Sequence, residues 1–300
     1  MDGIGCTICP RRCGVPRGDG FCGAPSEPEV ASVCLHRGEE PPLVGPDGKG
    51  IVNIFFAHCN LQCEYCQNWQ ISGRTATART MTADEIADEV CRLLPQSSGL
   101  VGFVTAAHYT SHLPHIIDAI HRRGFTPTVV YNSGGYESVE SLRKLEGLVD
   151  IYLPDLKYMD ASLAERWSHA ADYPAVAAAA LREMKRQAGS GLTVGDGVAM
   201  RGIIVRHLVL PGCIDNSMQC LEWLADNFNP FSLHLSLMAQ YFPPHEGLAA
   251  PLDRTLTESE YRQVVGRAEE LALTAGWIQE MSAQENYRPD FGQADNPFER

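Results

Sequence analysis

Residues 51–66 read IVNIFFAHCNLQCEYC, and this stretch decides the fold. The apolar run at 51–56 predicts a buried strand, which Cys59, Cys63 and Cys66 follow at a spacing of three and then two intervening residues. Three thiolates so close together can ligate three of the four irons of a [4Fe–4S] cubane, leaving the fourth iron open to a substrate-like molecule. The alternative is a zinc site of these cysteines, completed by His58 or a distant residue, although structural zinc ligands usually come as two separate pairs.

The apolar run at 51–56 is the first of six that predict strands, and helical patterns separate them. The other runs lie at 100–104, 126–131, 149–154, 202–210 and 232–238. The predicted helices lie at 82–94, 112–123, 137–146, 174–188, 216–227 and 257–271. Strands that alternate with helices indicate an α/β fold with a parallel sheet and right-handed crossovers.

Polar or glycine-rich residues follow almost every predicted strand. They are the three cysteines after the first strand, residues 105–109 after the second, 132–138 after the third, Asp155 and Lys157 after the fourth, and 240–245 after the sixth. Functional groups taken from the ends of many strands are typical of a barrel, whereas an open doubly wound sheet gathers them at one crevice. The sequence therefore favours a barrel.

Residues 1–50 are rich in glycine, proline and cysteine, and they predict a loop-rich N-terminal cap that a metal holds together. Cys6, Cys9, Cys13 and Cys22 supply four thiolates, enough to close a metal site. Structural zinc and an auxiliary iron–sulfur cluster fit four thiolates equally well. Cys34 is a further candidate ligand. Three arginines would offset the negative charge of either site: Arg11, Arg12 and Arg17.

Charge and composition narrow the class of protein. The 300 residues include 24 Lys and Arg against 37 Asp and Glu, a net charge of −13, which disfavours a nucleic-acid or anionic-membrane partner. No apolar stretch reaches the roughly 18 residues of a membrane span, and the N-terminus does not read as a secretory signal. We therefore expect a cytoplasmic protein, in which clustered cysteines bind metal more often than they form disulfides.

The cysteine loop resembles the signature of the radical S-adenosylmethionine (SAM) superfamily, C-x3-C-x-aromatic-C, with Tyr65 as the aromatic residue. Further strings resemble the pyruvate-formate-lyase-activating-enzyme-like branch, and within it the group with a cysteine-rich N-terminus. These strings are CTICPRRCGVPRGDGFCGA (6–24), GEEPPLVG (38–45), CNLQCEYCQNWQIS (59–72), NSGGYES (132–138), DIYLPDLKYMD (150–160) and RHLVLPG (206–212). The resemblance implies a partial (β/α)6 TIM-type barrel with the cluster at its mouth.

The resemblance also implies a chemistry. A reduced [4Fe–4S] cluster would cleave bound SAM to methionine and a 5′-deoxyadenosyl radical, and the radical would abstract hydrogen from a substrate. A one-electron donor such as flavodoxin or ferredoxin would reduce the cluster. The target is a glycyl radical enzyme in one hypothesis, and a peptide or small metabolite in the other. A non-catalytic iron–sulfur or zinc protein is the remote third hypothesis.

Single residues can be assigned from the resemblance. Cys59, Cys63 and Cys66 would ligate the catalytic cluster, and Tyr65 would pack near the adenine. Asp155 and Lys157 would contact the amino and carboxylate groups of SAM, although such a pair is also a common structural salt bridge. Arg206 would face the carboxylate, and the segment with Gln240 would lie along the ribose and adenine. Asn132 would line the site or cap a loop.

One departure from the superfamily follows the second predicted strand. A motif with a carboxylate that binds the amino group of SAM is usual there, but this chain has Thr105-Ala-Ala-His108. The amino group would then be held by backbone carbonyls, Thr105, Asp155 or, less obviously, His108. The predicted division of the chain is a cysteine-rich segment over 1–50, the barrel over 51–280 and a C-terminal extension over 281–300.

Overall fold

A computed structural model describes residues 5–286, 288–293 and 296–299. In the described residues one sheet contains ten strands, β1 Glu29–His36, β2 Ile51–Phe56, β3 Arg79–Thr80, β4 Leu100–Val104, β5 Thr128–Ser133, β6 Ile151–Pro154, β7 Leu192–Gly195, β8 Val198–Leu208, β9 His234–Met238 and β10 Gly276–Ile278. The helices are α1 Pro41–Val44, α2 Trp69–Ser72, α3 Ala83–Leu93, α4 Leu113–Arg122, α5 Val139–Arg143, α6 Ala161–Ser168, α7 Tyr173–Ala188, α8 Ile214–Asn227, α9 Glu258–Glu270 and α10 Ala283–Asn286, with a 3₁₀ turn at Leu94–Gln96. No helix in these ranges is long and apolar enough to span a bilayer.

The sheet has the strand order β10-β9-β8-β6-β5-β4-β2-β1-β3, with β7 paired to β8 as a hairpin. Neighbours from β2 to β10 along this order are parallel, whereas β1 is antiparallel to β2 and β3. Helices connect the parallel strands, as the alternating pattern predicted. The expected α/β fold with a partial TIM-type barrel is therefore confirmed, and each of the six predicted strands is present.

The N-terminal segment differs from its prediction in one respect. Over the described residues 5–28 it is loop-rich, but residues 29–36, expected to be part of the loop-rich cap, form β1. The alternation of buried and half-buried residues in EVASVCLH is weak because this strand is covered on both faces near its end. The predicted boundary after residue 50 falls between the paired strands β1 and β2, and residues 1–4 lie outside the description. The division of the chain into three parts stays a prediction.

Local sequence signals set the ends of the main helices. Thr82 and Thr257 form complete capping boxes with Glu85 and Glu260, because each threonine accepts a hydrogen bond from the glutamate N–H and each glutamate accepts from the threonine N–H. Ile86 and Val90 of α3 are buried against the sheet. These helices cover the outer face of the sheet and enclose the main apolar core.

A second, smaller core fills the lower end of the barrel. It joins Leu43 of α1 to residues at or near the starts of the parallel strands, among them Ile51, Leu100 and Ile151. The helix α1 therefore closes the N-terminal end of the barrel, and its two leading prolines fix its direction. A cavity can form only towards the C-terminal ends of the strands, where barrel enzymes place their active sites.

Candidate functional site

The cysteine loop lies between the end of β2 and the start of α2, above the barrel. His58 and Gln62 have left-handed backbone conformations, with φ of 68° and 51°, which fold the loop back on itself. The Leu61 N–H donates to Cys59 Sγ at 3.3 Å, and Ser168 Oγ donates to Cys63 Sγ at 3.0 Å. Hydrogen bonds to sulfur are one means by which proteins tune iron–sulfur clusters.

The pKa values of two of these thiols, Cys59 and Cys66, are raised. Burial, followed by the proximity of Cys63 and Cys66, raises the pKa of Cys59 to about 12. Burial and Cys63 also raise the pKa of Cys66. Bound iron reverses this preference because a coordinating thiol loses its proton outright. Three thiols on one loop, with hydrogen-bond donors to sulfur, thus form a donor set that fits a [4Fe–4S] cluster.

A cavity of about 450 Å³ lies below the cysteine loop, within the range typical of small-molecule sites. All three loop cysteines contribute to its wall. The wall also includes seven of the predicted SAM-contacting residues, Tyr65, Thr105, Asn132, Asp155, Lys157, Arg206 and Gln240. Residues that lie in or directly after β2, β4, β5, β6, β8 and β9 thus meet at one cavity.

One carboxylate organises the charged side of the cavity. Asp155 accepts hydrogen bonds from Lys157 Nζ at 2.7 Å and from Arg206 Nε at 2.8 Å. Burial opposes ionisation of Asp155, but Arg206 and then Lys157 lower its pKa below the usual value. Arg206 Nη2 also donates to Asn132 Oδ1 at 2.8 Å. These side chains are therefore held in fixed positions and remain charged at neutral pH.

The remaining predicted residues occupy the upper wall. Tyr65 is buried, and its hydroxyl accepts a hydrogen bond from Tyr158 at 2.7 Å. Gln240 lies in a chain of amides, since it donates to Gln67 and accepts from Gln279. Thr105 has φ of 58°, a strained conformation for a β-branched residue of the kind that clusters at functional sites.

His108 does not join the other predicted residues. It borders the separate N-terminal cavity, where its Nε2 lies 2.8 Å from the carbonyl oxygen of Ala57 and its carbonyl accepts from Arg17. Burial lowers the pKa of His108 to about 3, so its ring is neutral. His108 therefore does not line the main cavity, and its contact with the amino group of SAM stays a prediction.

Three acidic residues of the cavity wall were not singled out from the sequence: Glu39, Glu40 and Glu137. Glu39 and Glu40 precede α1, and Glu137 precedes α5. The sequence signal for Glu39 and Glu40 was a pair of adjacent carboxylates before two prolines, in the string GEEPPLVG. The signal for Glu137 was an acidic residue after two glycines, in the string NSGGYES. Nothing in the sequence alone showed that these loops turn into the barrel.

The last described residues contribute part of the wall. Phe298 borders the cavity and packs on His36, with ring centroids 4.0 Å apart, and on Phe55 at 5.4 Å. Asn296 Nδ2 donates to the carbonyl of Leu35 at 2.9 Å, and Gln70 donates to Asp290. Residues 288–293 and 296–299 thus cover the side of the sheet beyond β2, where β1 is antiparallel to the strands of the barrel.

The N-terminal cysteines form a second group. Cys6, Cys9, Cys13 and Cys22 surround one small cavity, whereas Cys34 lies apart in an apolar cluster with Phe55 and Phe298. Burial, and then repulsion from Cys22 and Cys6, raise the pKa of Cys9 to about 11. No set of three His, Cys, Asp or Glu side chains in the described residues is arranged to hold a single metal ion.

Of the arginines near this group, Arg17 lies beside it and Arg12 does not. Arg17 Nη1 lies 3.9 Å from Cys6 Sγ, and Arg12 is exposed and bonded to Glu140. Arg11 borders the cavity and donates to the carbonyls of Asn60, Ser168 and His169. Gln62 Nε2 donates to the Phe21 carbonyl at 2.9 Å. The N-terminal segment is therefore fastened directly to the cysteine loop.

A partial barrel with three cysteines above a charged cavity has the architecture of an iron–sulfur barrel enzyme. A model of the Radical SAM superfamily matches residues 53–208. The uncharacterized protein MJ0674 of Methanocaldococcus jannaschii is 31% identical over 279 residues, which cover 89% of this chain and 75% of that protein. The chain belongs to the radical SAM superfamily.

The similarities to solved structures are weaker. Methylornithine synthase (PylB) is 15% identical, with a TM-score of 0.48 over 79% of this chain and 68% of that one. The structure of anSMEcpe with bound AdoMet and the Kp18Cys peptide is 11% identical, with a TM-score of 0.47 over 71% of this chain. The present chain spans 57% of that protein, little more than half of its length. Because one fold hosts many reactions, these similarities assign no substrate.

Proposed function

We propose that this protein cleaves SAM reductively at a [4Fe–4S] cluster held by Cys59, Cys63 and Cys66, and that it abstracts a hydrogen atom from a substrate in the cavity below. Membership of the superfamily implies both the cluster and SAM. The observation that supports the assignment to these residues is the meeting of the three cysteines and seven further predicted residues around one cavity. When bound, the cluster supplies one electron and SAM supplies the 5′-deoxyadenosyl radical.

The side chains of the cavity would bind and orient SAM. The methionyl group carries an ammonium and a carboxylate, and Lys157, Asp155 and Arg206 offer both signs of charge close to the cysteine loop. Charge-assisted hydrogen bonds of this kind are roughly twice as strong as neutral ones. Tyr65 and Gln240 line the upper wall and would contact the adenosyl group. The apolar rim would exclude water from the radical.

A small substrate fits the cavity better than a loop of a partner protein does. A partial barrel would admit a glycyl radical enzyme through its open side, but Asn296 and Phe298 pack across that side. Activation of a glycyl radical enzyme, and with it the activating-enzyme-like branch, is the second candidate, favoured by the strings quoted above. The electron paramagnetic resonance doublet of a glycyl radical on a candidate partner would identify this activation.

We propose that Cys6, Cys9, Cys13 and Cys22 bind a second metal centre, either zinc or an auxiliary iron–sulfur cluster. Their four thiols share one cavity beside Arg17. Counting zinc, iron and sulfide per chain after anaerobic purification distinguishes the two metals.

A flavodoxin or ferredoxin is the proposed reductant, and the proposed location is the cytoplasm.

The test of the catalytic assignment is Cys63→Ala. Reconstituted protein with SAM and dithionite should release 5′-deoxyadenosine, and Cys63→Ala should release none while it retains the metal of the N-terminal cysteines. Cys91→Ala is the matched control, because Cys91 belongs to α3 and does not line the cavity. Parental SAM cleavage by Cys63→Ala would show that the ligand assignment is wrong.

A further inference from the structure

One carboxylate at the floor of the cavity has an oxygen atom that lacks a hydrogen-bond partner among the described residues. Glu40 is 8% exposed and borders the cavity, and its Oε2 is buried without a hydrogen-bond partner among the described residues. Glu40 is directly followed by α1, which closes the end of the barrel. The Glu40 side chain therefore cannot turn away into solvent. The Ser236 side chain and the backbone of Glu40 itself hydrogen-bond this carboxyl group, so Oε2 is the atom left without a donor. A buried oxygen without a donor is unfavourable, and its persistence at a cavity wall indicates a ligand.

The other three carboxylates of the wall already have donors. Glu39 Oε1 accepts from Asn53 Nδ2 at 2.9 Å, Asp155 accepts from Lys157 and Arg206, and Glu137 accepts from two hydroxyl groups, at 2.7 and 3.0 Å. The wall thus contains four carboxylates against two cations. Both cations are bonded to Asp155, and Arg206 Nη1 also lies 3.6 Å from Glu39 Oε2. A ligand with a positive group would balance this charge and satisfy Glu40.

The position of Glu40 separates this ligand group from the methionyl group of SAM. In the proposed function the methionyl group lies at the cysteine loop beside Lys157, whose charge interacts with Cys63. Glu40 directly precedes α1, which closes the lower end of the barrel, and it lies within range of the charge of Arg206. The adjacent Glu39 bonds Asn53, three residues below the end of β2, which at the rise of a strand is about 10 Å below the cysteine loop.

We infer that the substrate is a small molecule with a protonated amino group, which binds Glu40 at the floor of the cavity while SAM occupies the upper part. This inference rests on the proposed function and adds the substrate class to it. An ammonium is a compact cation with three donors, and it matches a single free carboxylate oxygen. Burial raises the pKa of Glu40 to about 7, and a bound ammonium would stabilise the ionised form.

The test compares two deuterated probes of the same shape, n-butylamine and n-butanol, each fully deuterated on carbon. With SAM and dithionite, the 5′-deoxyadenosyl radical takes a deuterium atom from a C–D bond, so that a C–D bond forms at C5′ and a carbon radical remains on the probe. The measured quantity is the fraction of 5′-deoxyadenosine that carries deuterium. This fraction does not depend on the total amount of SAM cleaved.

We expect roughly tenfold more deuterium from the amine than from the alcohol at neutral pH, the ratio that about 1.4 kcal/mol of binding energy produces. Glu40→Gln should reduce transfer from the amine to the level of the alcohol, and Glu40→Asp should keep much of the preference. Glu137→Gln is the matched control and should keep it, because Glu137 already has two donors. Equal transfer from both probes in the parental protein, or an unchanged preference in Glu40→Gln, would overturn the inference.

A second measurement does not require turnover. In SAM-free protein at pH 6, adding n-butylammonium should reduce the infrared absorption of protonated carboxyl groups, and Glu40→Gln should show no such decrease. An unchanged absorption in the parental protein would contradict the inference. A parental protein that releases no 5′-deoxyadenosine would overturn the proposed function and this inference together. SAM cleavage without amine preference would overturn only the inference.

Discussion

Asp155 is held from two sides, by Lys157 and by Arg206, and this shared contact sets the chemistry of the upper cavity. The salt-bridge interpretation and the SAM-binding interpretation of these residues are compatible, since one carboxylate leaves each cation with further donors. Lys157 Nζ has three donors and Arg206 has five, so both can bind a ligand carboxylate without releasing Asp155. The ion pairs therefore position the site before SAM arrives.

Lys157→Ala should weaken SAM binding while the cluster remains intact. Loss of one charge-assisted hydrogen bond costs about 1.5–3 kcal/mol, which corresponds to an increase in Kd of roughly 10- to 100-fold. Anaerobic equilibrium dialysis with the oxidised cluster measures this affinity, and iron content checks the cluster. Lys185→Ala is the control, because Lys185 bonds the carbonyl of Asn227 at the far end of α7. An unchanged Kd would leave Lys157 with a structural role only.

Glu137→Gln should change how stability depends on pH. Burial raises the pKa of Glu137 to about 7, although its hydrogen bonds act to lower it. In the unfolded chain the same group has a pKa of about 4.3, so between these two pH values the folded protein binds a proton that the unfolded chain has released. The contribution of this group to stability is complete below pH 4.3 and is lost as the pH rises through 7. Between pH 6 and pH 8 the parental protein should lose about 1 kcal/mol that the variant does not lose.

The measurement is the midpoint of thermal unfolding, taken as variant minus parent at both pH values. This difference should become more positive at pH 8, whatever the constant cost of the amide. Glu269→Gln on the exposed face of α9 should give the same difference at both pH values. A pH-independent difference for Glu137→Gln would show that its carboxyl group does not titrate in this range.

Among the secondary-structure elements, strands β2 and β4 fit together because β4 has a glycine where the two strands approach closely. A Cβ placed on Gly102 of β4 would lie 2.0 Å from Oδ1 of Asn53, the β2 residue that bonds Glu39. The absence of a side chain at Gly102 therefore lets an amide cross the inside of the barrel and hold the floor of the cavity. The residue type is required by close approach and not by backbone conformation.

Gly102→Ala should destabilise the protein, by about 1–3 kcal/mol, because the added methyl group must displace Asn53. Gly266→Ala, within α9, should instead stabilise it by about 0.5–1 kcal/mol, since nothing lies within 4 Å of the new Cβ and alanine favours a helix. Unfolding midpoints of both variants give the sign and size of each change. Equal effects of the two substitutions would contradict the proposed packing.

The elements of the barrel were predictable because each has a regular apolar pattern. The run at 51–56 and the capping boxes at Thr82 and Thr257 fixed their positions to within a few residues. The edge strand β1 was missed because its sequence, EVASVCLH, lies among glycines and prolines and has no clean alternation. Pairing with β2 stabilises the extended conformation of β1, which the local sequence alone does not specify.

The candidate site was predictable only where chemistry follows the end of a strand. Asp155 and Arg206 met this condition and lie together, whereas Glu39 and Glu40 enter the barrel from a loop before its first parallel strand. His108 also follows a strand end, but its ring turns out of the barrel to the carbonyl of Ala57. Side-chain direction in loops depends on tertiary contacts, which periodicity does not encode.

In the whole molecule, residues 288–293 and 296–299 cover the side at which the partial barrel lacks a strand. Phe298→Ala should open this side, because it removes the ring that packs on His36 and Phe55. Oxygen should then bleach the visible iron–sulfur absorption several-fold faster, since the cavity excludes solvent less well. Phe231→Ala is the control, because Phe231 is 77% exposed. Identical bleaching rates would show that Phe298 does not restrict access.

Arg11 and Gln62 each span the gap between the two cysteine groups. Asn60 and Gln62 belong to the loop between Cys59 and Cys63, while Arg11 and Phe21 stand among the N-terminal cysteines. If each group closes around its own metal, filling one stiffens the contacts that the other needs. Such cooperativity is reciprocal by thermodynamic necessity, so metal bound or lost at one cysteine group would alter the metal affinity of the other group by the same factor.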